Sequence, residues 1–171
     1  MNGDFRKFAV RRERALYRYA HLLTGDHTEA EELTRDALGR TQATWRRHSD
    51  TAGAELYARR AITTATAGRW RPRTWFADRT RAGHPAVPAH DNVAADSWIR
   101  DEVQSLPPRQ RAALVLRYYE RLTDAEVAQI LGCSVPTARA RTSQALDTLR
   151  SRLDPETAHL VDQLLTTRGA G

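Results

Sequence analysis

The strongest constraint on the fold is a pair of short helical patterns joined by a glycine turn near the C-terminal end of the chain. Thr123-Asp124-Ala125-Glu126 has the spacing of a capping box, in which a threonine and a later glutamate satisfy the first backbone N–H groups of a helix. Apolar residues follow on one helix face up to Leu131, and Gly132-Cys133-Ser134 separates them from a second helix that begins at Val135. The pattern predicts a helix-turn-helix.

The second helix of this motif has an apolar stripe on one side and small or polar residues on the other. The stripe consists of Ala138, Thr142, Ala145, Leu146, Leu149 and Leu153. Small side chains let a helix approach the major groove, where Arg and Gln can donate to base edges or phosphates. The residues that we expect to contact DNA are Ser134, Thr137, Arg139, Arg141 and Gln144. The alternative interpretation is an ordinary helical hairpin with a solvated basic face.

Spacings of three and four between apolar residues recur along the rest of the chain, and no sustained alternation predicts a strand. The fold class is therefore predicted to be all-α. One helix face runs from Phe5 to Leu23 and ends at Gly25, where a left-handed residue can close the helix. Thr28 and Glu31 have the spacing of another capping box and predict the start of a second helix.

A third helix is predicted from about Ala54 to Trp70, because Pro72 cannot continue it. Its side chains are mostly small, so this part should bury little area and be marginally stable. The following residues are rich in Pro, Gly and Ala, which is typical of a flexible linker. We predict two small helical domains, 1–72 and 98–153, loosely placed by a linker at 73–97, with a short C-terminal helix and tail at 154–171.

Charge favours a polyanionic partner. The formal net charge is +6, and residues 1–72 hold 14 basic against 9 acidic side chains, while 98–153 hold 9 against 6. Two basic blocks on either side of a neutral middle are compatible with nucleic acid, although many basic proteins are merely soluble.

Several function classes are disfavoured by what the sequence lacks. A single cysteine, Cys133, excludes an internal disulfide framework, and the six histidines fall singly, so we expect no metal and no cofactor. We find no paired nucleophile and base and no phosphate-binding glycine loop, so neither an enzyme nor a small-molecule substrate is expected. The N-terminus has no signal-peptide pattern and no stretch is long enough to span a membrane, which favours a cytoplasmic protein without a membrane partner.

Long segments of the chain resemble a known family. Residues 106–119, LPPRQRAALVLRYY, followed by 122–128, LTDAEVA, resemble conserved region four of the extracytoplasmic-function sigma factors of bacterial RNA polymerase, most closely an actinobacterial sigma-E-like branch. Region two of the same family is resembled by LLTGD at 22–26, AEEL at 30–33 and WRR at 45–47, and by Tyr57, Arg59-Arg60 and Arg69-Trp70-Arg71.

The resemblance implies an alternative sigma factor, which binds core RNA polymerase and directs promoter-specific transcription initiation. Promoter DNA would then be a partner, with an anti-sigma factor as a further candidate. The polymerase-binding residues would be Glu31, Glu32, Arg35 and Asp36. The melted minus-ten element would contact Arg59, Arg60, Thr64, Arg69, Trp70 and Arg71, with an extruded base held in the loop at 47–53, while region four would bind the minus-thirty-five element.

The chain departs from the usual family pattern at Thr34, Arg35, Thr64, Pro136 and Gln144. The resemblance therefore does not settle how tightly the chain binds the clamp of RNA polymerase or which promoter sequence it recognises. Two other classes stay open at this point. A stand-alone helix-turn-helix transcriptional regulator would leave residues 5–72 unexplained, and a helical interaction module that sequesters a transcription factor would make the basic blocks incidental.

Overall fold

A computed structural model describes residues 2–48, 50–69 and 101–152, and every secondary-structure element in those ranges is helical, which confirms the all-α prediction. We call the N-terminal helices the first unit and residues 101–152 the second unit. The first unit contains α1 (Asn2–Thr24), α2 (His27–Ala43), a 3₁₀ turn (Trp45–Arg47) and α3 (Thr51–Arg69). The second contains a helical segment at 101–105, α4 (Pro108–Leu114), a π-helical segment (Val115–Tyr119), α5 (Asp124–Leu131) and α6 (Val135–Arg152).

The predicted end of α1 is confirmed, but the predicted start of α2 is not. Gly25 closes α1 with a φ of 72°, in the left-handed region that favours glycine. The carboxylate of Asp26 caps α2 by accepting the backbone N–H of Glu29 at 2.8 Å. The capping box expected at Thr28 is therefore wrong, because Asp26 already provides the cap and the helix begins at His27.

The helix-turn-helix is confirmed with its caps. Glu126 N–H donates to Thr123 Oγ1 at 3.3 Å, and Thr123 N–H donates back to Glu126 Oε2 at 2.8 Å. Gly132, with a φ of 62°, ends α5 in the left-handed conformation. Ser134 precedes α6, and its hydroxyl oxygen accepts the backbone N–H of Thr137 at 3.4 Å. Local sequence therefore determines both ends of the turn.

The two units pack against each other. A single cluster of buried apolar side chains contains residues of both, and α3 lies directly on α5. The larger members of this shared cluster are Leu16, Tyr19, Leu33 and Ile62 from the first unit, and Leu116, Val127 and Ile130 from the second. The expected loose placement is therefore not what the described residues show. The small side chains of α3 leave the first unit with an unfinished core, which α5 completes.

A second, smaller cluster belongs to the second unit alone and comprises Leu106, Leu114, Ala145 and Leu149. It joins α4 to α6 and fixes the position of the helix-turn-helix. The predicted linker and the C-terminal helix lie outside the described residues, so the proposed domain limits stay a prediction. Among the helices that the structure describes, none is long and apolar enough to cross a lipid bilayer.

Candidate nucleic-acid interface

The outer face of α6 is the first candidate surface. Ala138, Thr142, Ala145 and Leu149 are buried against the second unit. At about 100° per residue, the opposite side of the helix is centred on the exposed residues Pro136, Ala140 and Ser143. The helix therefore presents small side chains at the centre of its free face. Arg139 and Arg141 lie on opposite flanks of that face, and of the two Arg139 is the more exposed.

Arg139 is held in place by an acidic neighbour. Its Nε lies 2.6 Å from Asp124 Oδ2 at the start of α5, and Asp124 Oδ1 lies 3.4 Å from Nε of Arg117. Because the Arg139 side chain is 68% exposed, this ion pair adds little stability, but it orients the guanidinium towards the α5 side of the motif.

The other predicted residues of this surface are hydrogen-bonded to neighbours. Ser134 Oγ and Thr137 Oγ1 lie 2.8 Å apart, and both belong to the cap of α6. Gln144 is exposed, and its Oε1 accepts a weak hydrogen bond of 3.4 Å from Gln110 Nε2. These are surface contacts that a DNA donor or acceptor can replace, since water already competes for them.

A groove between α2 and α3 is the second candidate surface. It has a volume of about 320 Å³ and is lined by Arg40, Tyr57, Arg60, Ala61, Thr64 and Ala65. The structure thus brings two predicted residues, Arg60 and Thr64, together with a second cation that sequence analysis missed. Arg40 pairs with Asp36 at 2.9 Å. No sequence signal identified Arg40, because only the packing of α2 beside α3 places it near Arg60.

Arg59 does not lie on this surface. Its side chain is 7% exposed, and it pairs with Glu55 at 2.5 Å and with Glu120 of the second unit. The predicted exposure of Arg59 to DNA is therefore absent from this arrangement. Arg69 is the last residue of α3, and Trp70 and Arg71 lie outside the described residues. The loop predicted at 47–53 is shorter, because α3 begins at Thr51.

The predicted polymerase-facing residues Glu31, Glu32, Arg35 and Asp36 are all exposed on α2. Thr34 points the other way and is 4% exposed. Its hydroxyl donates to the carbonyl oxygen of Ala30 at 2.7 Å, so a polar residue is tolerated at a position where the family usually has an apolar one.

Three titratable groups have shifted pKa values, and burial raises the pKa of one of them, Tyr17. Burial raises the pKa of Tyr19, whose hydroxyl lies 2.7 Å from Thr63 Oγ1 inside the first unit. The backbone N–H and the hydroxyl of Thr123 lower the pKa of Glu126 in the capping box. The Tyr19 shift is caused by burial and the Glu126 shift by hydrogen bonds of the helix cap, so both reflect the fold. Within the described ranges, no group of three or more His, Cys, Asp or Glu side chains could hold a metal ion.

A helix-turn-helix whose second helix exposes small and basic side chains is typical of DNA-binding transcription proteins. Residues 96–149 match the family model described as sigma-70, region 4. The chain is 31% identical to an RNA polymerase sigma-E factor of Streptomyces coelicolor over 152 residues, which cover 88% of this chain and 86% of the relative. It is 28% identical to the ECF RNA polymerase sigma factor SigL of Mycobacterium tuberculosis, and the match covers 81% of this chain and 82% of the relative.

A solved structure is similar in fold to both units together. The sigma factor RpoE of Bartonella quintana, crystallised with the anti-sigma factor NepR, aligns with a TM-score of 0.61 at 22% identity, over 86% of this chain and 95% of RpoE. The chain belongs to the extracytoplasmic-function sigma factors of bacterial RNA polymerase. It is an alternative sigma factor that directs transcription initiation, and the similarity across both units sets aside the two other classes considered above.

Proposed function

We propose a division of labour between the two units within this sigma factor. The second unit binds the minus-thirty-five element as duplex DNA through α6. The first unit binds core polymerase through α2 and the melted minus-ten strand through the groove between α2 and α3. The observation that carries the proposal is that each unit presents a cationic surface of a different shape, one convex and one concave.

The convex surface of α6 suits a duplex major groove. Ala140 and Ser143 at its centre allow close approach, and the flanking Arg139 and Arg141 can reach phosphates or base edges. Ser134, Thr137 and Gln144 add hydroxyl and amide groups along the same side. Arg141 is assigned to bases, because it shares a face with Thr137 and Gln144. Arg139 is assigned to phosphate, because Asp124 already orients it to the side.

The concave surface suits a single strand. Arg40 and Arg60 supply positive charge for the backbone, and Tyr57 supplies an aromatic ring for stacking against a base. Thr64 adds a hydroxyl group in the same groove. Arg59, Arg69, Trp70 and Arg71 continue as proposed contacts of this strand, with Arg59 becoming available only when the second unit moves away.

Core RNA polymerase is the proposed partner of the exposed α2 residues Glu31, Glu32, Arg35 and Asp36. An anti-sigma factor is proposed as a further partner, supported by the complex in which the similar RpoE was solved. The chain is proposed to act in the cytoplasm as a non-catalytic subunit that needs no cofactor, since its role is to supply binding surfaces for the polymerase that does the chemistry.

Run-off transcription with purified core polymerase tests the proposal. Transcripts that start at a fixed distance from a promoter should appear only when the full chain is added, and mapping transcript starts after overexpression should reveal both promoter elements.

The double variant Arg40→Ala/Arg60→Ala should impair open-complex formation more than core binding, and should lower the salt slope of single-strand binding by about 1.4. Loss of core binding with intact strand binding would contradict this assignment. Val10→Ala, at a 72% exposed position of α1, is the matched control.

A further inference from the structure

The excess positive charge of the first unit lies on α1, away from the groove between α2 and α3. Helix α1 contains six basic and two acidic side chains, whereas α2 contains two basic and four acidic ones. The side chains that line the groove belong to α2 and α3, and the surface proposed for polymerase belongs to α2. The charge that favours a polyanionic partner therefore lies mostly on a helix to which neither proposed surface belongs.

Four of the α1 cations form a single row along the outer side of the helix. They follow one another at intervals of four, three and four residues, which keeps them within an arc of about 60° at about 100° per residue. The centre of this arc lies about 140° around the helix from the side on which Leu16 and Tyr19 are buried. All four side chains are exposed, and we call them the basic row: Lys7, Arg11, Arg14 and Arg18.

The charges of the basic row are not neutralised by the part of the protein that the structure describes. None of the ion pairs between described residues includes a member of the row. By contrast, Nε of Arg12, on the inner side of the same helix, lies 3.0 Å from Glu55 Oε2. Residues three and four apart on a helix are neighbours, so the like charges of the row repel one another. An anion from outside the chain would relieve this repulsion.

We propose that the basic row binds the phosphate backbone of duplex DNA without reading its sequence, as a contact separate from α6 and from the groove between α2 and α3. From Lys7 to Arg18 the row is about 17 Å long. One strand of B-form DNA presents a phosphate about every 3.4 Å along the helix axis, so a backbone that lies along α1 offers about five phosphates to the four cations. This contact does not depend on the roles proposed for the other two surfaces.

The chemistry of the row favours phosphate over base edges and over a protein partner. A helix that enters the major groove has small side chains at its centre, as α6 has with Ala140 and Ser143, whereas the centre of the basic row is arginine. Protein interfaces have apolar or aromatic centres, from which lysine is depleted. Val10 borders the row and is 72% exposed, but a single valine does not make such a centre. Basic side chains along one helix face are the usual footprint of nucleic-acid binding.

The test measures binding of the full chain to a short DNA duplex that lacks both promoter elements, by fluorescence anisotropy over a salt series. The row variant Arg11→Gln/Arg14→Gln/Arg18→Gln removes three phosphate contacts. Each contact contributes about 0.9 to the salt slope, so the slope should fall by about 2.7. Gln is as good a helix former as Arg, and the repulsion is relieved, so the midpoint of chemical denaturation should not fall. A lowered slope with an unchanged midpoint separates lost binding from misfolding.

The matched control Arg6→Gln/Arg150→Gln/Arg152→Gln removes three exposed cations that lie outside the row, and its salt slope should stay close to that of the wild type. An unchanged slope in the row variant would overturn the proposal, as would an equal fall in the control, because net charge alone would then explain the binding. Loss of binding to poly-glutamate with an unchanged duplex slope would also overturn it, since the row would then bind an acidic protein segment. If the wild-type chain fails to support run-off transcription, the proposed function is wrong, while the duplex slopes still decide whether the row binds DNA.

Discussion

The two units have similar helical content but differ in how they are stabilised. In the second unit, α4 and α6 share their own cluster of Leu106, Leu114, Ala145 and Leu149, and α5 has a complete capping box. The third helix of the first unit is mostly Ala and Thr, and its main large buried side chain, Ile62, lies in the cluster shared with the second unit. The first unit therefore depends on its neighbour for part of its core.

The polar contacts between the units show the same asymmetry. At the end of α1 the second unit supplies the donors, with Gln104 and the buried Arg111 bonded to carbonyl groups that a helix leaves unsatisfied. At the other end it supplies the carboxylate of Glu120 to Arg59. The difference teaches that the first unit takes part of its stability from the second, through the shared apolar cluster and through these polar contacts.

The largest expected effect tests this dependence. Ile62→Ala should lower the free energy of unfolding by about 2–5 kcal/mol, and it should lower hydrogen-exchange protection in both units because Ile62 lies in the shared cluster. Leu149→Ala, in the cluster of the second unit alone, should lower the free energy of unfolding by a similar amount. Its loss of hydrogen-exchange protection should appear first in α4 and α6. Equal loss of protection throughout both variants would show that the units are one cooperative body without the asymmetry.

An effect of intermediate size concerns the two arginines of α6. Arg141→Ala should cost about 1–3 kcal/mol of promoter binding and relax the preference at one base position. Arg139→Ala should weaken binding to all promoter sequences alike and lower the salt slope of binding by about 1. The reason is that the ion pair with Asp124 holds the Arg139 side chain away from the centre of the free face of α6. The measurement is binding of holoenzyme to promoter variants over a salt series. Identical sequence profiles and equal slopes would contradict the assigned roles.

The smallest effect concerns the capping box, which distinguishes α5 from α2. The pKa of Glu126 lies below its ordinary value of 4.5, mainly because Thr123 N–H donates to the carboxylate. A lowered pKa means that the ionised carboxylate stabilises the fold above pH 4.5, and that this contribution is lost as the pH falls through the lower folded value. Glu126→Gln should therefore be about 0.5 kcal/mol less stable than wild type at pH 7 and equally stable near pH 3, as measured by chemical denaturation. A difference that is constant with pH would show that the carboxylate charge is not involved.

Local sequence predicted the elements that depend on local chemistry. The helix-turn-helix was located from Thr123, Glu126 and Gly132, whose caps and left-handed glycine act within a few residues of chain. The outward side of α6 followed from helical periodicity, whereas the exposed α2 group was implied by the family resemblance. The start of α2 was predicted wrongly, since Thr28 and Asp26 are both good caps and only the backbone path selects Asp26.

The sequence by itself therefore determined an all-α chain, its helix-turn-helix and the family to which it belongs, because hydrophobic periodicity, capping residues and long motifs are properties of neighbouring residues. Only the tertiary structure decided the position of one unit on the other. It buried Arg59 against Glu55 and Glu120, and it placed Arg40 beside Arg60. An arginine has the same sequence signature whether it meets DNA or a carboxylate 61 residues further along the chain, and the choice depends on packing between distant segments.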